Sequence, residues 1–214
     1  MSEETLNRYA EILKNRAVHQ RFKIDRHVED IPALLSMTYE AMVRERCMTP
    51  DMDEQTTSRI AKVAKWLTEN RKPGLLLYGT PGNGKTTMAK AICTLIEALY
   101  RSSYSSDRKA VRQTSALDMA KIAKDETGRF EQLKNAELLF IDDVGCEPVV
   151  VKSWGNEFSP LVELIYHRYD ARKFTIVTSN LEDREFGERY GPRISDRIIE
   201  MFDRIYYDSH SYRR

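Results

Sequence analysis

Three short apolar runs punctuate the chain, and each is bounded by turn-forming or polar residues. They are Gly74–Tyr78, Leu138–Ile141 and Phe174–Thr178. Apolar runs of this length are typical of strands that are buried on both faces, as in a parallel sheet. Shorter strands are predicted at residues 109–114 and 204–207. Helical spacing predicts helices over residues 2–18, 32–47, 53–70, 85–100, 116–124, 128–135, 157–171 and 194–201. This alternation predicts an α/β fold with a parallel sheet covered by helices on both sides.

The first apolar run leads directly into a glycine-rich turn, and helical sequence follows the turn. Backbone N–H groups in such a turn point into one concavity, where a helix N-terminus also favours negative charge. Gly82 and Gly84 supply the backbone freedom that the turn requires. Lys85 can reach the β- and γ-phosphates of a nucleoside triphosphate, and the Thr86 hydroxyl can bind Mg²⁺. The predicted nucleotide-binding residues are Gly79, Thr80, Pro81, Gly82, Asn83, Gly84, Lys85, Thr86 and Thr87.

The second apolar run ends in two carboxylates, Asp142 and Asp143. Ligands of open α/β sheets bind at the carboxyl ends of the strands, so this position predicts a Walker B strand. Asp142 is expected to hold Mg²⁺, and Asp143 is expected to orient or deprotonate the attacking water. Aspartate is shorter than the glutamate that many ATPases use at this position, which predicts slow turnover. Glu147 is an alternative base.

The third run closes with the polar triplet Thr178–Asn180. An amide at this strand end can hydrogen-bond both the γ-phosphate and the attacking water, although asparagine is also common in turns. We therefore predict a sensor role for Asn180.

Arg193 and Arg197 lie four residues apart and share one face of a predicted helix. They could form surface ion pairs with Asp196 or Glu200. Alternatively, one could be an arginine finger that reaches the γ-phosphate bound by a neighbouring subunit. The spacing alone leaves both readings open.

Taken in order, these motifs resemble the DnaC/IstB group of AAA+ ATPases, which includes bacterial helicase loaders and transposition helper ATPases. The resemblance rests on residues 79–86, 142–145, 178–180 and 190–198 and on the closing Ser211–Arg213. It implies a P-loop fold, a homo-oligomer whose active sites close between subunits, and Arg197 at the finger position with Arg193 just before it. It also implies a role as an ATP-dependent helicase loader in DNA replication.

The resemblance covers about residues 50–214, which divides the chain into a helical partner-binding region (1–50) and an AAA+ ATPase domain (51–214). Because only residues 198–214 follow Arg197, we expect no C-terminal helical lid domain; Arg213 could replace the sensor arginine of that lid. In loaders of this group the N-terminal region binds the replicative helicase, and in transposition helpers it meets other partners. The partner expected here is thus a replicative helicase or a transposase.

Residues 115–135 are similar to the extra helical sequence of the initiator branch of AAA+ proteins. They contain Lys121, Lys124 and Arg129, with Phe130 adjacent. Cations beside an aromatic ring could track the phosphates of single-stranded DNA and stack one base. A solvated helix face balanced by Asp125 and Glu126 is an equally good interpretation of any one of these residues.

Composition adds constraints rather than chemistry. The 214 residues carry a formal net charge of only +1, so the overall charge does not indicate a nucleic-acid partner. The three cysteines are widely separated, which favours a reducing compartment. No basic-then-apolar leader and no apolar stretch of about 20 residues is present, so we expect a cytoplasmic protein without a membrane segment.

Three other functions fit parts of this pattern, and one of them is a nucleotide-dependent scaffold that binds ATP but scarcely hydrolyses it. A transposition helper ATPase would share the catalytic core and differ in its N-terminal partner. A small-molecule P-loop kinase would need a substrate pocket and usually a mobile lid, whereas an acid pair followed by an asparagine sensor favours water as the acceptor.

Overall fold

A computed structural model describes residues 3–14, 21–25, 30–101, 109–153 and 155–208. The helices, in chain order, are α1 (Glu3–Lys14), α2 (Ile31–Arg44), α3 (Glu54–Glu69), α4 (Lys85–Leu99), α5 (Ala116–Asp125), α6 (Thr127–Asn135), α7 (Pro160–Asp170), α8 (Asp183–Tyr190) and α9 (Pro192–Met201). The strands are β1 (Gly74–Gly79), β2 (Arg112–Ser115), β3 (Leu138–Val144), β4 (Val151–Ser153), β5 (Asn156–Phe158), β6 (Phe174–Ser179) and β7 (Phe202–Tyr207).

The main sheet has five parallel strands in the order β2-β3-β6-β1-β7. Strand β6, which is late in the chain, lies between β1 and β3. The carboxyl ends of β1, β3 and β6 therefore meet at one edge, where open α/β sheets bind their ligands. The predicted fold class, a parallel sheet flanked by helices, is confirmed.

Each face of the sheet contributes to a separate hydrophobic core, because successive side chains on a strand point in opposite directions. Leu75 and Leu77 pack with residues of α2, α3 and α4 on one face. Leu76 faces the other side and packs with residues of α5, α6, α7 and α9. All three leucines are no more than 1 % exposed, so β1 is buried on both faces.

Helix α2 belongs to the first of these cores. Leu35 and Tyr39 are buried there, and the helix packs against α3 and α4. A domain boundary at residue 50 therefore does not agree with the packing, because apolar side chains on both sides of it share one core. Helix α1 differs, since its Leu6 and Tyr9 are 51 % and 64 % exposed.

Two elements were not predicted. The β4–β5 hairpin occupies the start of the helix expected over 157–171, which begins only at Pro160, a favoured residue for a first helical turn. Helix α8 was missed because it is short and mostly polar, with Phe186 as its buried residue. It is instead stabilised at its start by reciprocal hydrogen bonds between Glu182 and Glu185.

Candidate active site

The phosphate loop joins the end of β1 to the start of α4. Gly82 and Gly84 have φ values of 86° and 89°, which side-chain-bearing residues rarely adopt. The Lys85 ammonium donates hydrogen bonds to the carbonyl oxygens of Gly79 (2.8 Å) and Thr80 (2.6 Å). This lysine is only 5 % exposed. The loop thus wraps around a buried cation, as a site for anionic phosphates requires.

The loop is anchored to the neighbouring strand β7. The Thr80 N–H and the Asn83 side-chain amide both donate to the carbonyl oxygen of Tyr207, at 3.0 and 2.8 Å. A Cβ atom at Gly79 would lie 2.3 Å from the same oxygen, so only glycine allows this close approach. These contacts hold the loop in shape; the sequence offers no signal for Tyr207, because its backbone makes them.

The acid pair meets the phosphate loop at the carboxyl edge of the sheet. Asp142 Oδ1 accepts hydrogen bonds from Thr86 Oγ1 (2.9 Å) and from Thr178 Oγ1 (2.5 Å). Thr178 Oγ1 also accepts from the Asp143 N–H at 2.9 Å. One buried threonine on β6 thereby fixes both acids relative to the loop. Thr178 is a site residue whose role sequence reasoning missed; its place in the polar triplet that closes β6 was the available signal.

Asp143 is turned out of the strand toward the cleft. Its φ of 56° is unusual for a residue other than glycine, and the register of β3 against β6 shifts between Ile141 and Val144. Asn180 directly follows β6, and both side chains line the cleft that contains Lys85. The three predicted motifs thus converge on one cavity.

Cys146 lines the same cleft beside Asp143. Desolvation raises the pKa of its thiol, and the negative charge of Asp143 adds to the effect. The thiol is therefore protonated at neutral pH and is a poor nucleophile. Glu147, the alternative base, is 1 % exposed and points elsewhere: its carboxylate accepts from the Gly145 N–H (2.9 Å) and from the Tyr190 hydroxyl.

The cleft has a volume of about 290 Å³, near the lower end of the ~300–1,000 Å³ typical of small-molecule sites. One part of the cleft wall comes from the second half of α2 and the segment after it. Its residues are Tyr39, Val43, Arg46, Met48, Thr49 and Asp51. Sequence reasoning missed this wall, because the packing of α2 on α4 brings it to the phosphate loop and chain spacing does not predict that packing.

The residues present fit Mg²⁺ and a triphosphate. The Thr86 hydroxyl and the Asp142 carboxylate are adjacent oxygen ligands of the kind that Mg²⁺ prefers, and the remaining ligands of such sites are usually water and phosphate oxygens. Beside these ligands, the phosphate loop supplies the Lys85 ammonium and two glycines, Gly82 and Gly84, with positive φ. Among the described residues, no group of three or more His, Cys, Asp or Glu side chains could hold a metal, so the candidate protein ligands for Mg²⁺ are Thr86 and Asp142.

The two candidate finger arginines lie on α9. Neither lines the cleft of its own chain. Arg193 is exposed, whereas Arg197 donates to Glu200 (3.1 Å) and lies over the ring of Tyr169, 4.3 Å from its centroid. Glu200 also accepts from the Tyr169 hydroxyl at 2.5 Å; this hydrogen bond and then Arg197 lower the pKa of Glu200. The ion pair considered for Arg197 is thus present.

The candidate DNA-contacting residues do not form one surface of free groups. Lys121 and Arg129 pair with Asp118 (3.5 Å) and Glu126 (3.3 Å), and Lys124 is exposed. The stacking role predicted for Phe130 does not fit its position. Its ring is 2 % exposed in the second core, 6.2 Å from the ring of Phe158, because it is one of the few apolar residues with which α6 can pack on the sheet. Arg213 lies outside the described residues.

The sheet order, the phosphate loop and the acid pair on a separate strand define a P-loop ATPase fold of the AAA+ class. A family model described as IstB-like ATP binding protein matches residues 7–214. The chain belongs to this family, and it is a DnaC/IstB-like AAA+ protein. Over the part of the chain that is described, no helix combines the length and apolar character needed to cross a membrane.

Solved structures agree on the fold. The crystal structure of the DnaC helicase loader matches with a TM-score of 0.56 and 21 % identity, over 74 % of this chain and 93 % of that one. Replication initiator DnaA bound to AMPPCP and single-stranded DNA matches with a TM-score of 0.50 and 19 % identity, over 73 % and 48 %.

Among curated proteins, vacuolar protein sorting-associated protein 4 of Dictyostelium discoideum is 38 % identical over 85 residues. The match covers 39 % of this chain and only 18 % of that relative.

Proposed function

We propose that this protein is an ATP-hydrolysing helicase loader of DNA replication that completes its active site between subunits. One observation carries the nucleotide chemistry: Asp142 Oδ1 accepts hydrogen bonds from both Thr86 and Thr178. The phosphate loop, the strand β3 that carries the acid pair and the strand β6 that precedes Asn180 therefore meet at this one carboxylate oxygen.

The residues around this atom have distinct roles. Lys85 binds the terminal phosphates, and Thr86 and Asp142 hold Mg²⁺. When bound, Mg²⁺ neutralises the negative charge that develops on the transferred phosphoryl group. Thr178 keeps the Asp142 carboxylate aimed at the loop, because its hydroxyl donates to that carboxylate.

Asp143 and Asn180 act on the water. The carboxylate of Asp143 accepts a proton from the water or orients it, and the amide of Asn180 hydrogen-bonds both water and the terminal phosphate. Both side chains face the cleft, which supports these roles. Without the longer reach of glutamate, Asp143 acts through an ordered water, and basal turnover is slow.

Arg197, assisted by Arg193, completes the site of a neighbouring copy. Its absence from the cleft of its own chain supports a role in trans, as does the amphipathic pattern of α9, which buries Ile194 and Ile198 and leaves the arginines at the surface. A finger in this position requires a homo-oligomer. Arg197 has to leave Glu200 to act, which would make hydrolysis dependent on assembly.

Partner binding is assigned to the N-terminal region, within which α1 offers the exposed side chains Leu6 and Tyr9. The partner is a replicative helicase. Single-stranded DNA is bound by Lys121, Lys124 and Arg129, without a contribution from Phe130. The bound DNA stimulates hydrolysis by favouring the assembled state.

The deciding experiment measures phosphate release with and without single-stranded DNA. Lys85→Ala should abolish nucleotide binding, and Arg197→Ala should spare binding yet lower hydrolysis by about 10³-fold. A mixture of these two inactive variants should regain activity, since one supplies the loop and the other the finger. If the mixture stays inactive while both variants fold and assemble, the site does not act in trans.

A second candidate is a transposition helper ATPase, favoured by the family model that matches residues 7–214. The catalytic core would be the same, so the test concerns the partner. Full-length protein, in parallel with a Leu6→Asp/Tyr9→Asp variant, is co-purified with a purified replicative helicase and with a purified transposase. Capture that depends on the two α1 residues identifies the partner class; retention of the transposase alone favours the second candidate.

A further inference from the structure

A cation from the N-terminal part of the chain reaches the phosphate loop. Arg46 Nη1 donates a 2.8 Å hydrogen bond to Thr87 Oγ1, across 41 residues of sequence, and both residues line the cleft. We propose that Arg46 is a nucleotide-binding residue that contacts the phosphate chain, in addition to Lys85. The inference rests on the proposed function only in that the cleft binds nucleotide.

The backbone holds Arg46 in place. Helix α2 ends at Arg44, and the Arg46 N–H donates to the carbonyl oxygen of Val43 at 3.1 Å. Cys47 then adopts a left-handed conformation (φ 55°), so that the Met48 N–H reaches the same carbonyl at 3.4 Å. This turn closes the helix in the way that C-terminal capping motifs do. The arginine therefore projects from a structured turn and not from a free tail.

The helix before this turn is itself fixed against the phosphate-loop helix. Leu35 is fully buried and Tyr39 is 6 % exposed in the core that α2 shares with α4. The Tyr39 hydroxyl lies 3.0 Å from the position of a Cβ at Gly84, directly beside the loop. A nucleotide that enters the cleft would meet a preorganised guanidinium.

The charge of Arg46 is available for a ligand. Within the described residues it forms no ion pair with a carboxylate, whereas its neighbour Arg44 is paired with Glu40 at 2.7 Å. A guanidinium has five N–H donors, and the contact with Thr87 uses one of them. The others can bind phosphate oxygens, to which the planar guanidinium is well matched.

The contact with Thr87 indicates which part of the nucleotide Arg46 meets. Thr87 is in the first turn of α4, and the backbone N–H groups of this loop and turn cradle the α- and β-phosphates. Arg46 should therefore bind the phosphates nearest the nucleoside, while Lys85 binds the terminal ones. Nucleotide binding would then also engage the end of α2.

The test compares Arg46→Gln with the matched control Arg44→Gln, an exposed arginine two residues away that does not line the cleft. Calorimetry measures the affinities for adenosine, AMP, ADP and ATP, and thermal unfolding of the free proteins checks the fold. Arg46→Gln should bind AMP, ADP and ATP about 10- to 100-fold more weakly, the usual effect of losing a charged hydrogen bond, and adenosine as the wild type does. Arg44→Gln should match the wild type throughout.

Equal affinities of wild type and Arg46→Gln for the phosphorylated ligands would overturn the inference and leave the proposed function intact. An equal loss for adenosine would also overturn it, because Arg46 would then act on the nucleoside or on the fold. A wild-type protein that binds no nucleotide would instead refute the proposed function. Arg46→Lys, which keeps the charge, should show an intermediate loss and replaces the glutamine variant if that variant unfolds.

Discussion

The nucleotide cleft and the α5–α6 face (Lys121, Lys124 and Arg129) were both inferred from charged residues near apolar ones, yet they differ in geometry. In the cleft, Thr86 on α4 and Thr178 on β6 both donate to Asp142 on β3, and Lys85, Asp143 and Asn180 line one cavity. On the α5–α6 face, Lys121 pairs with Asp118 on its own helix, and Arg129 pairs with Glu126, the residue between α5 and α6. The difference shows that polar residues at the ends of parallel strands can be predicted to lie close together. Charged residues on a helix can be predicted only to face solvent.

The largest effect is expected in the cleft. Asp143→Asn should lower ATP hydrolysis by about 10³-fold, because the amide can no longer accept a proton from water, while ATP affinity stays close to that of wild type. Single-turnover phosphate release and calorimetry check the two parts. Asp125→Asn, an exposed acid at the end of α5, is the control. If Asp143→Asn hydrolyses ATP at the rate of the wild type, Asp143 does not activate the attacking water.

The next effect separates packing from DNA binding on the other face. Phe130→Ala should lower the free energy of unfolding by about 3–4 kcal/mol, since it leaves a cavity in the second core. Leu117→Ala, which shortens a side chain that is 46 % exposed, should change it little. Denaturant titration gives both values. Unchanged stability together with selective loss of DNA binding would restore the stacking role for Phe130.

A smaller effect tests how the cleft is held together. Thr178→Val should lower the free energy of unfolding by about 1–3 kcal/mol, because the partly buried Asp143 N–H loses its acceptor and Asp142 loses a donor. Hydrolysis should fall as well, by about 10-fold if the hydroxyl contributes a typical hydrogen bond. Thr178→Ser, which keeps the hydroxyl, should retain most of both. Equal behaviour of the valine and serine variants would show that the hydroxyl does not position the acids.

The smallest effect is expected from the charges on α5. Lys121→Gln and Lys124→Gln should each weaken binding of single-stranded DNA by only about 2- to 5-fold, and each should reduce the salt dependence of binding by the share of about one phosphate contact. Fluorescence anisotropy at two salt concentrations measures both, with Lys62→Gln on α3 as control. If neither variant differs from Lys62→Gln, DNA does not bind at the α5–α6 face.

The sequence by itself determined the fold class and the central strands, because strands buried on both faces are nearly continuous apolar runs, and short runs of this kind have few other interpretations. It also identified the phosphate loop, Asp142, Asp143 and Asn180 as neighbours, since the carboxyl ends of parallel strands share one edge of the sheet. These inferences need only the chain order and local chemistry. Helix α8 and the β4–β5 hairpin were not predicted, because short polar elements derive their stability from contacts with the rest of the chain.

Only the tertiary structure decided which side chains complete the site. Thr178 bridges both acids through a hydroxyl whose partners lie 35 and 36 residues away, and Arg46 meets Thr87 across 41 residues. The burial of Phe130 likewise depends on how α6 packs against the sheet and Phe158. Such contacts depend on how the helices pack on the sheet, and the spacing of residues along the chain does not predict that packing.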